Sequence, residues 1–414
     1  MTRLIVAAAV LSLVSLSAGG PGCVGPLAAA AEEKQAARPQ IGEPVRQAGE
    51  LLKQKKYKEA LERLRSADAV PNKTPYEIYV IEGTRAAIAL NAGDDAIAEK
   101  ALEAVLATNI LAPQDALTRV AALVQINYRL KNYAEVASFA NRYYRDGGTD
   151  AQPRLLLAQA YYLQSDFADA AKTVRQILAT DAKAAKRPEE NLLLMLLNAE
   201  YQQKNEAGRI DALEILVRLY PKPQYWADLL AAIPKKRGFS DRLKLDLDRL
   251  MAATGAMKTA DDYMEAAQLA LLAGLPGDAK AFLDKGVAAG VLSTGAGAGR
   301  AERLADMASR QASDDQKSLP QLAQEADAAP SGLAAVKLGD AYASYGQYDK
   351  AIAAYQKGIR KAGLQNPDDA SLHLGIAYLL NGDKAKAKES FGTLSGKDAT
   401  RDLARLWLIQ AGAS

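Results

Sequence analysis

Of the 414 residues only one is cysteine (Cys23), only one is histidine (His373), and two are tryptophan. The lone histidine excludes a metal centre built from several imidazoles. Any Ser-His-Asp relay would have to run through His373 itself. It stands between Leu372 and Leu374 in a helical pattern, so a partly exposed helical residue is expected there. A lone cysteine excludes an internal disulfide, and two tryptophans are a meagre supply of the aromatic platforms that sugar-cleaving clefts require. An excess of either charge is also missing: 52 basic against 49 acidic side chains leave a net charge of +3. The charges are scattered, which excludes a nucleic-acid footprint. The short basic runs "KQKKYK" from Lys53 and "PKKRGFSDR" from Pro234 read as solvated faces or helix ends. After residue 31 the longest strongly apolar run, "NLLLMLL" from Asn191, is far too short to span a bilayer.

What is present begins with a targeting segment. "MTR" supplies a positive charge, "LIVAAAVLSLVSLSAGG" an apolar core, and "AAAAEE" a small-residue cleavage site. A signal peptide over 1–31, cut after Ala31, is expected, followed by a linker over 32–43. The mature chain would then lack cysteine and be periplasmic. The alternative is lipid attachment at Cys23, the one route by which the chain would meet a membrane directly. Gly20-Pro21-Gly22 suit that processing poorly, because Pro21 distorts the extended backbone that a peptidase reads.

Ala and Leu dominate the rest, and one sparse pattern is written twice. In "LGDAYASYGQYDKAIAAYQKGI" the residues Leu338, Gly339, Tyr342, Gly346, Ala351 and Tyr355 fall on Leu374, Gly375, Tyr378, Gly382, Ala387 and Phe391 of "LGIAYLLNGDKAKAKESFGTLS". The small residues mark close approach of two antiparallel helices, the large ones fill the space beside it, and Gly346 and Gly382 close the first helix in the left-handed conformation. This spacing resembles the tetratricopeptide repeat family, of the exported bacterial type. Weaker copies start at Leu157 and Asn198, the latter counted from Tyr201 with Ala212 and Leu216. Second helices stand at Lys55, Ala92 and Lys131. The resemblance implies an all-α, right-handed superhelical solenoid of stacked helix pairs, about nine to ten units. The expected organisation is units over 44–222, degenerate helical repeats over 223–330, the best-matching units over 331–399 and a capping helix over 400–414.

No catalytic, metal-binding or cofactor-binding set emerges. "STGAGAGRAER" from Ser293 lacks a preceding strand and has Arg300 where a phosphate loop needs its third glycine, so a loop between helices is expected. Asp94-Asp95, Asp261-Asp262 and Asp368-Asp369 stand where helices begin, which suits capping.

The family resemblance places function on the inward face of each first helix. With Tyr161 and Tyr342 counted as position 11, positions 2, 5, 9, 12 and 13 face inward. They yield a candidate partner groove containing Gln125, Tyr128, Arg129, Gln159, Tyr162, Gln202 and Gln203. Amide and phenol groups there suit the backbone of an extended peptide. The last unit instead turns Leu372, Ile376, Leu379 and Leu380 inward, a surface suited to a helix or to the capping segment. The Lys/Asn clamp for chaperone C-termini is absent, since Ala121, Gln125, Leu155, Gln159, Val336 and Asp340 hold those positions. The implied function is a non-enzymatic scaffold for partner proteins or peptides, within an envelope complex. Two stretches, around Tyr220–Trp226 and from Tyr263, resemble repeat proteins associated with TonB–ExbB–ExbD systems, which implies help to outer-membrane transport. A glycan-acting or glycan-binding helical protein is the remaining alternative.

Overall fold

The computed structural model describes residues 36–236, 238–293, 298–361, 363–396 and 399–412. The expected leader, its cleavage after Ala31 and Cys23 lie outside the described residues. The described residues form twenty α-helices and no strand, an all-α array of helical repeats. The chain divides into two compact units, Met1–Asn205 and Glu206–Ser414.

The first unit holds α1 (Pro39–Lys53), α2 (Tyr57–Asp68), α3 (Pro75–Ala92), α4 (Asp95–Ala107), α5 (Pro113–Leu130), α6 (Tyr133–Arg145), α7 (Ala151–Leu163), α8 (Phe167–Lys183) and α9 (Glu190–Gln202). Helix α1 begins inside the stretch expected to be a linker. It is held there by Arg38, whose Nε and Nη2 bond the Glu77 carboxylate at 2.8 and 2.9 Å. Glu77 also completes a capping box with Thr74 at the start of α3. Ala89, Leu102, Val120, Leu123, Val136 and Leu156 belong to one continuous core running from α3 to α7. A core that continues from pair to pair is what lets each thin pair bury its apolar face.

The second unit holds α10 (Glu206–Leu219), α11 (Pro223–Leu230), α12 (Lys244–Thr254), α13 (Ala260–Leu272), α14 (Pro276–Ala288), α15 (Ala298–Ala328), α16 (Leu333–Ser344), α17 (Tyr348–Lys361), α18 (Pro367–Leu380), α19 (Lys384–Gly392) and α20 (Thr400–Gln410). Helix α15 is one rod of 31 residues with Pro320 inside it, where the sequence suggests degenerate repeats. Of the glycine-rich stretch, residues 294–297 lie outside the described residues, and Arg300 is helical.

A single corner recurs through both units. Lys55, Gly93, Lys131, Ser165, Lys204, Gly274, Gly346 and Gly382 each follow a first helix with φ between +56° and +87°. At Lys131 the Asn132 amide donates to the Asn127 carbonyl at 2.9 Å, and the Lys131 amide to the Tyr128 carbonyl at 3.2 Å. The same two bonds recur at all eight corners, and they satisfy carbonyls that a helix end otherwise leaves bare. The next residue starts the second helix, and at α4, α8 and α19 it is an aspartate (Asp94, Asp166, Asp383) that accepts a backbone amide. Seven corners join complete pairs: α1–α2, α3–α4, α5–α6, α7–α8, α13–α14, α16–α17 and α18–α19. At Lys204 the chain leaves the first unit. Helices α11, α12 and α15 share the apolar periodicity without the corner.

The close approaches differ in one detail from expectation. A Cβ on Gly339 would meet the Tyr355 ring, and one on Gly375 the Phe391 ring. The glycine of the first helix thus receives the aromatic of the second, while Ala351 and Ala387 are fully buried beside it.

Candidate partner-binding surface

The corner defines the repeat register, because the carbonyl that accepts its second amide belongs to position 11. That residue is Asn127 in α5 and Tyr161 in α7, as the sequence suggests, but in α9 it is Glu200 and not Tyr201. The inward positions of α9 therefore shift back by one residue, to Asn191, Leu194, Asn198, Tyr201 and Gln202. Burial agrees with the shift. Glu200 is 2% exposed and Tyr201 is 65% exposed. The expected register would have placed the buried Leu192 and Ala199 on the open face.

Three adjacent first helices now present one repeating band. Position 12 is Tyr128, Tyr162 and Tyr201, and position 9 is Gln125, Gln159 and Asn198. Positions 2, 5 and 13 add Thr118, Ala121 and Arg129, then Gln152, Leu155 and Leu163, then Asn191, Leu194 and Gln202. Every member of the band is exposed or half-buried.

Several predicted groove residues stitch neighbouring repeats together. Arg129 forks onto Asp95 at 2.7 and 2.6 Å, so its charge is matched within the unit. The Tyr162 hydroxyl donates to Asn198 Oδ1 at 2.8 Å, and its ring meets Phe167 edge-on at 5.5 Å. Tyr128 packs edge-on against Tyr133 at 6.0 Å, and burial pushes its phenol pKa up. Gln203 leaves the band: its amide donates to the Phe167 and Ala199 carbonyls, at 3.0 and 3.1 Å. Gln125 and Gln159 are half-buried and make no side-chain hydrogen bond among the described residues. Asn198 and Tyr201 are the residues that sequence reasoning misses. The signal was present: Lys-Asn stands at 131–132 and again at 204–205, and aligning these dipeptides sets the register correctly.

In the second unit the inward residues of the last repeats are covered. Leu372, Ile376 and Leu379 are buried and only Leu380 remains exposed, at 45%, with α20 packed against α18. A half-buried charge cluster accompanies them. His373 Nδ1 lies 2.7 Å from Asp340, and its Nε2 lies 3.1 Å from Asp246. Arg249 reaches Asp246 at 2.7 Å and Asp278 at 2.6 Å. The Tyr355 hydroxyl donates to Asp340 at 2.8 Å. Burial alone would depress the His373 pKa, but the facing carboxylates Asp246 and Asp340 raise it to about 10. Burial works against the Asp246 carboxylate, yet His373 and Arg249 hold its pKa at about 2. His373 is the partly exposed helical residue expected, with 15% of its side chain open, but its ring is engaged on both sides. With its pKa raised and both nitrogens engaged by carboxylates, it suits a clamp and fits neither a general base nor a metal ligand.

The aspartate pairs divide their labour. Asp94 caps α4, and Asp262 caps α13 in a box with Thr259. Asp368 and Asp369 do not cap α18: Asp368 accepts the Ser395 amide and hydroxyl, and Asp369 pairs with Arg242. Among the described residues no group of acidic, histidine or cysteine side chains is placed to hold a metal ion, and no helix is long and apolar enough to cross a membrane.

No protein-family model and no curated protein matches the sequence. Solved structures similar to it include the Naa15/Naa10 complex bound to HypK-THB, with 16% identity over 88% of this chain and a TM-score of 0.31. This chain spans 58% of that one. Another is the C-terminal part of a TPR repeat-containing protein from Cytophaga hutchinsonii, with 13% identity over 79% of this chain and 98% of that one, and a TM-score of 0.30. A third is the TPR2AB domain of yeast Sti1 in complex with pHSP90, with 13% identity over 72% and 99%, and a TM-score of 0.24. The latter two are tetratricopeptide structures by name.

Proposed function

We propose that this protein is an exported, periplasmic, non-enzymatic scaffold that binds partner proteins or extended peptides through the band on α5, α7 and α9. The observation that carries this reading is the band itself. Fifteen inward positions on three consecutive first helices are all open or half-open, and they combine tyrosine rings with uncommitted side-chain amides. Such a surface matches a peptide backbone in hydrogen-bonding capacity and its side chains in apolar contact. Export rests on the leader-like sequence of residues 1–31. The non-enzymatic reading is supported by His373, whose raised pKa and double engagement suit a structural role. Membership of an envelope complex follows from the export reading.

The test is photo-crosslinking in living cells, with the probe at Gln159 in the band and, as control, at Lys172 on the exposed side of α8. A discrete adduct from Gln159 alone is expected, and its mass identifies the partner. Adducts from Lys172 alone would overturn the assignment of the face.

A further inference from the structure

We propose that α20 is an internal plug in a helix-binding seat, and that the seat's other occupant is an amphipathic helix of a partner protein. The seat belongs to the second unit and uses none of the band residues. Helix α20 has no paired helix after it among the described residues, and it lies against α18, α10 and α12. Leu403, Leu406 and Trp407 are buried there, each 2% exposed or less. Their i, i+3, i+4 spacing is that of an amphipathic helix anchored in an apolar groove.

The polar walls of the seat set the charges of its occupant. Glu214 of α10 is buried and pairs with Arg405. Lys236 reaches Asp402 at 2.5 Å, and Arg405 closes onto the same Asp402 at 2.8 Å. With α20 out of the seat, Glu214 requires a cation and Lys236 an anion. The partner helix therefore carries a base three residues after an acid, beside its apolar stripe, as α20 does with Asp402 and Arg405. A helix charged with one sign throughout would leave one wall unmatched.

Two features make α20 a replaceable occupant. Its clips are partly open to water: Arg405 keeps 41% of its side chain exposed and Asp402 23%, and ion pairs open to water hold weakly. The Trp407 indole Nε1–H is buried without an acceptor, so α20 is seated with one donor desolvated and unpaired. A partner helix with phenylalanine at that place fills the same apolar space without that cost. It enters only molecules whose α20 is out, so its apparent affinity scales with their fraction.

The test is fluorescence anisotropy with the purified full chain and a labelled peptide of residues 399–412 carrying Trp407→Phe, beside hydrogen exchange of the α20 amides. Arg405→Glu in the chain should speed α20 exchange about tenfold or more and tighten the peptide by the same factor, with α18 exchange unchanged. Adding Glu214→Arg to Arg405→Glu rebuilds the pair and should return both readouts towards those of the parent chain. Equal peptide binding by the parent chain and Arg405→Glu would overturn the proposal. So would loss of α18 protection together with that of α20, which would make α20 a fixed part of the core. A concentration-dependent dimer of Arg405→Glu that shuts out the peptide would assign the seat to α20 of a second copy and overturn it too. The Gln159 crosslink is untouched by any of these outcomes, so the scaffold reading stands or falls separately.

Discussion

His373 joins Asp340 across a repeat boundary at 2.7 Å, and its other nitrogen holds Asp246 of the irregular segment before the last repeats. The His373 ring is the connection between α12, α16 and α18.

The pH dependence of stability follows with a definite sign. The folded pKa of His373 is about 10, above its ordinary 6.5. Its stabilisation is therefore fully present below pH 6.5 and is lost as pH rises towards 10. Glu77 and Asp246 behave oppositely. Their pKa values are held at about 2, Glu77 by its bond to Arg38 and Asp246 by His373 and Arg249 against the effect of burial. Their contributions are present above about pH 4.5 and fade as pH falls towards 2. Thermal melts should peak between about pH 4.5 and 6.5. In His373→Gln the alkaline loss should largely vanish, and the variant should be about 3–5 kcal/mol less stable at pH 6, because Asp246 and Asp340 lose their shared cation. An unchanged alkaline slope would refute the clamp.

Gly375 is the site of the tightest close approach in the last pair. Gly375→Ala should cost about 1–3 kcal/mol, read from the denaturant midpoint, because its Cβ enters the Phe391 ring. Combining it with Phe391→Leu should cost less than the two single changes summed, since one relieves the other.

The corners make a prediction of opposite sign. Lys131 holds φ at +63° and Ser165 at +62°, where a side chain is strained by about 1–2 kcal/mol. Lys131→Gly should stabilise the chain by about 0.5–1 kcal/mol after the entropy that glycine loses on folding. Gly346→Ala, at φ +70°, should destabilise it by about 1 kcal/mol. Chemical denaturation measures both.

Tyr201 separates binding from folding. With 65% of its surface exposed, Tyr201→Ala should change stability by less than about 0.5 kcal/mol while removing most of the Gln159 crosslink. Tyr162→Phe should instead cost about 0.5–1.5 kcal/mol, because it deletes the hydrogen bond to Asn198. A calorimetric melt of each variant, run beside the crosslinking, distinguishes them.

The helical class and the last two pairs are legible in the sequence, because Gly339, Gly346, Gly375 and Gly382 stand where only a glycine spares the backbone or admits an aromatic ring. The drift of the earlier pairs is a drift of residue type and not of backbone. Lys55, Lys131, Ser165 and Lys204 form the same left-handed corner without glycine, so a search for glycine passes over them. That is why Tyr201 is misread and why Asn198 joins the band only once the hydrogen bonds are seen.

The sequence by itself determined local matters: the period of the apolar residues, the aspartates that start second helices, and the near-neutral surface. These depend on neighbours within one turn or one pair. Tertiary structure decided how many pairs close, where the first unit ends at Asn205, and that His373 meets Asp246 from 127 residues away. Such contacts are set by the stacking of whole helices, and no short-range pattern of residue types encodes them.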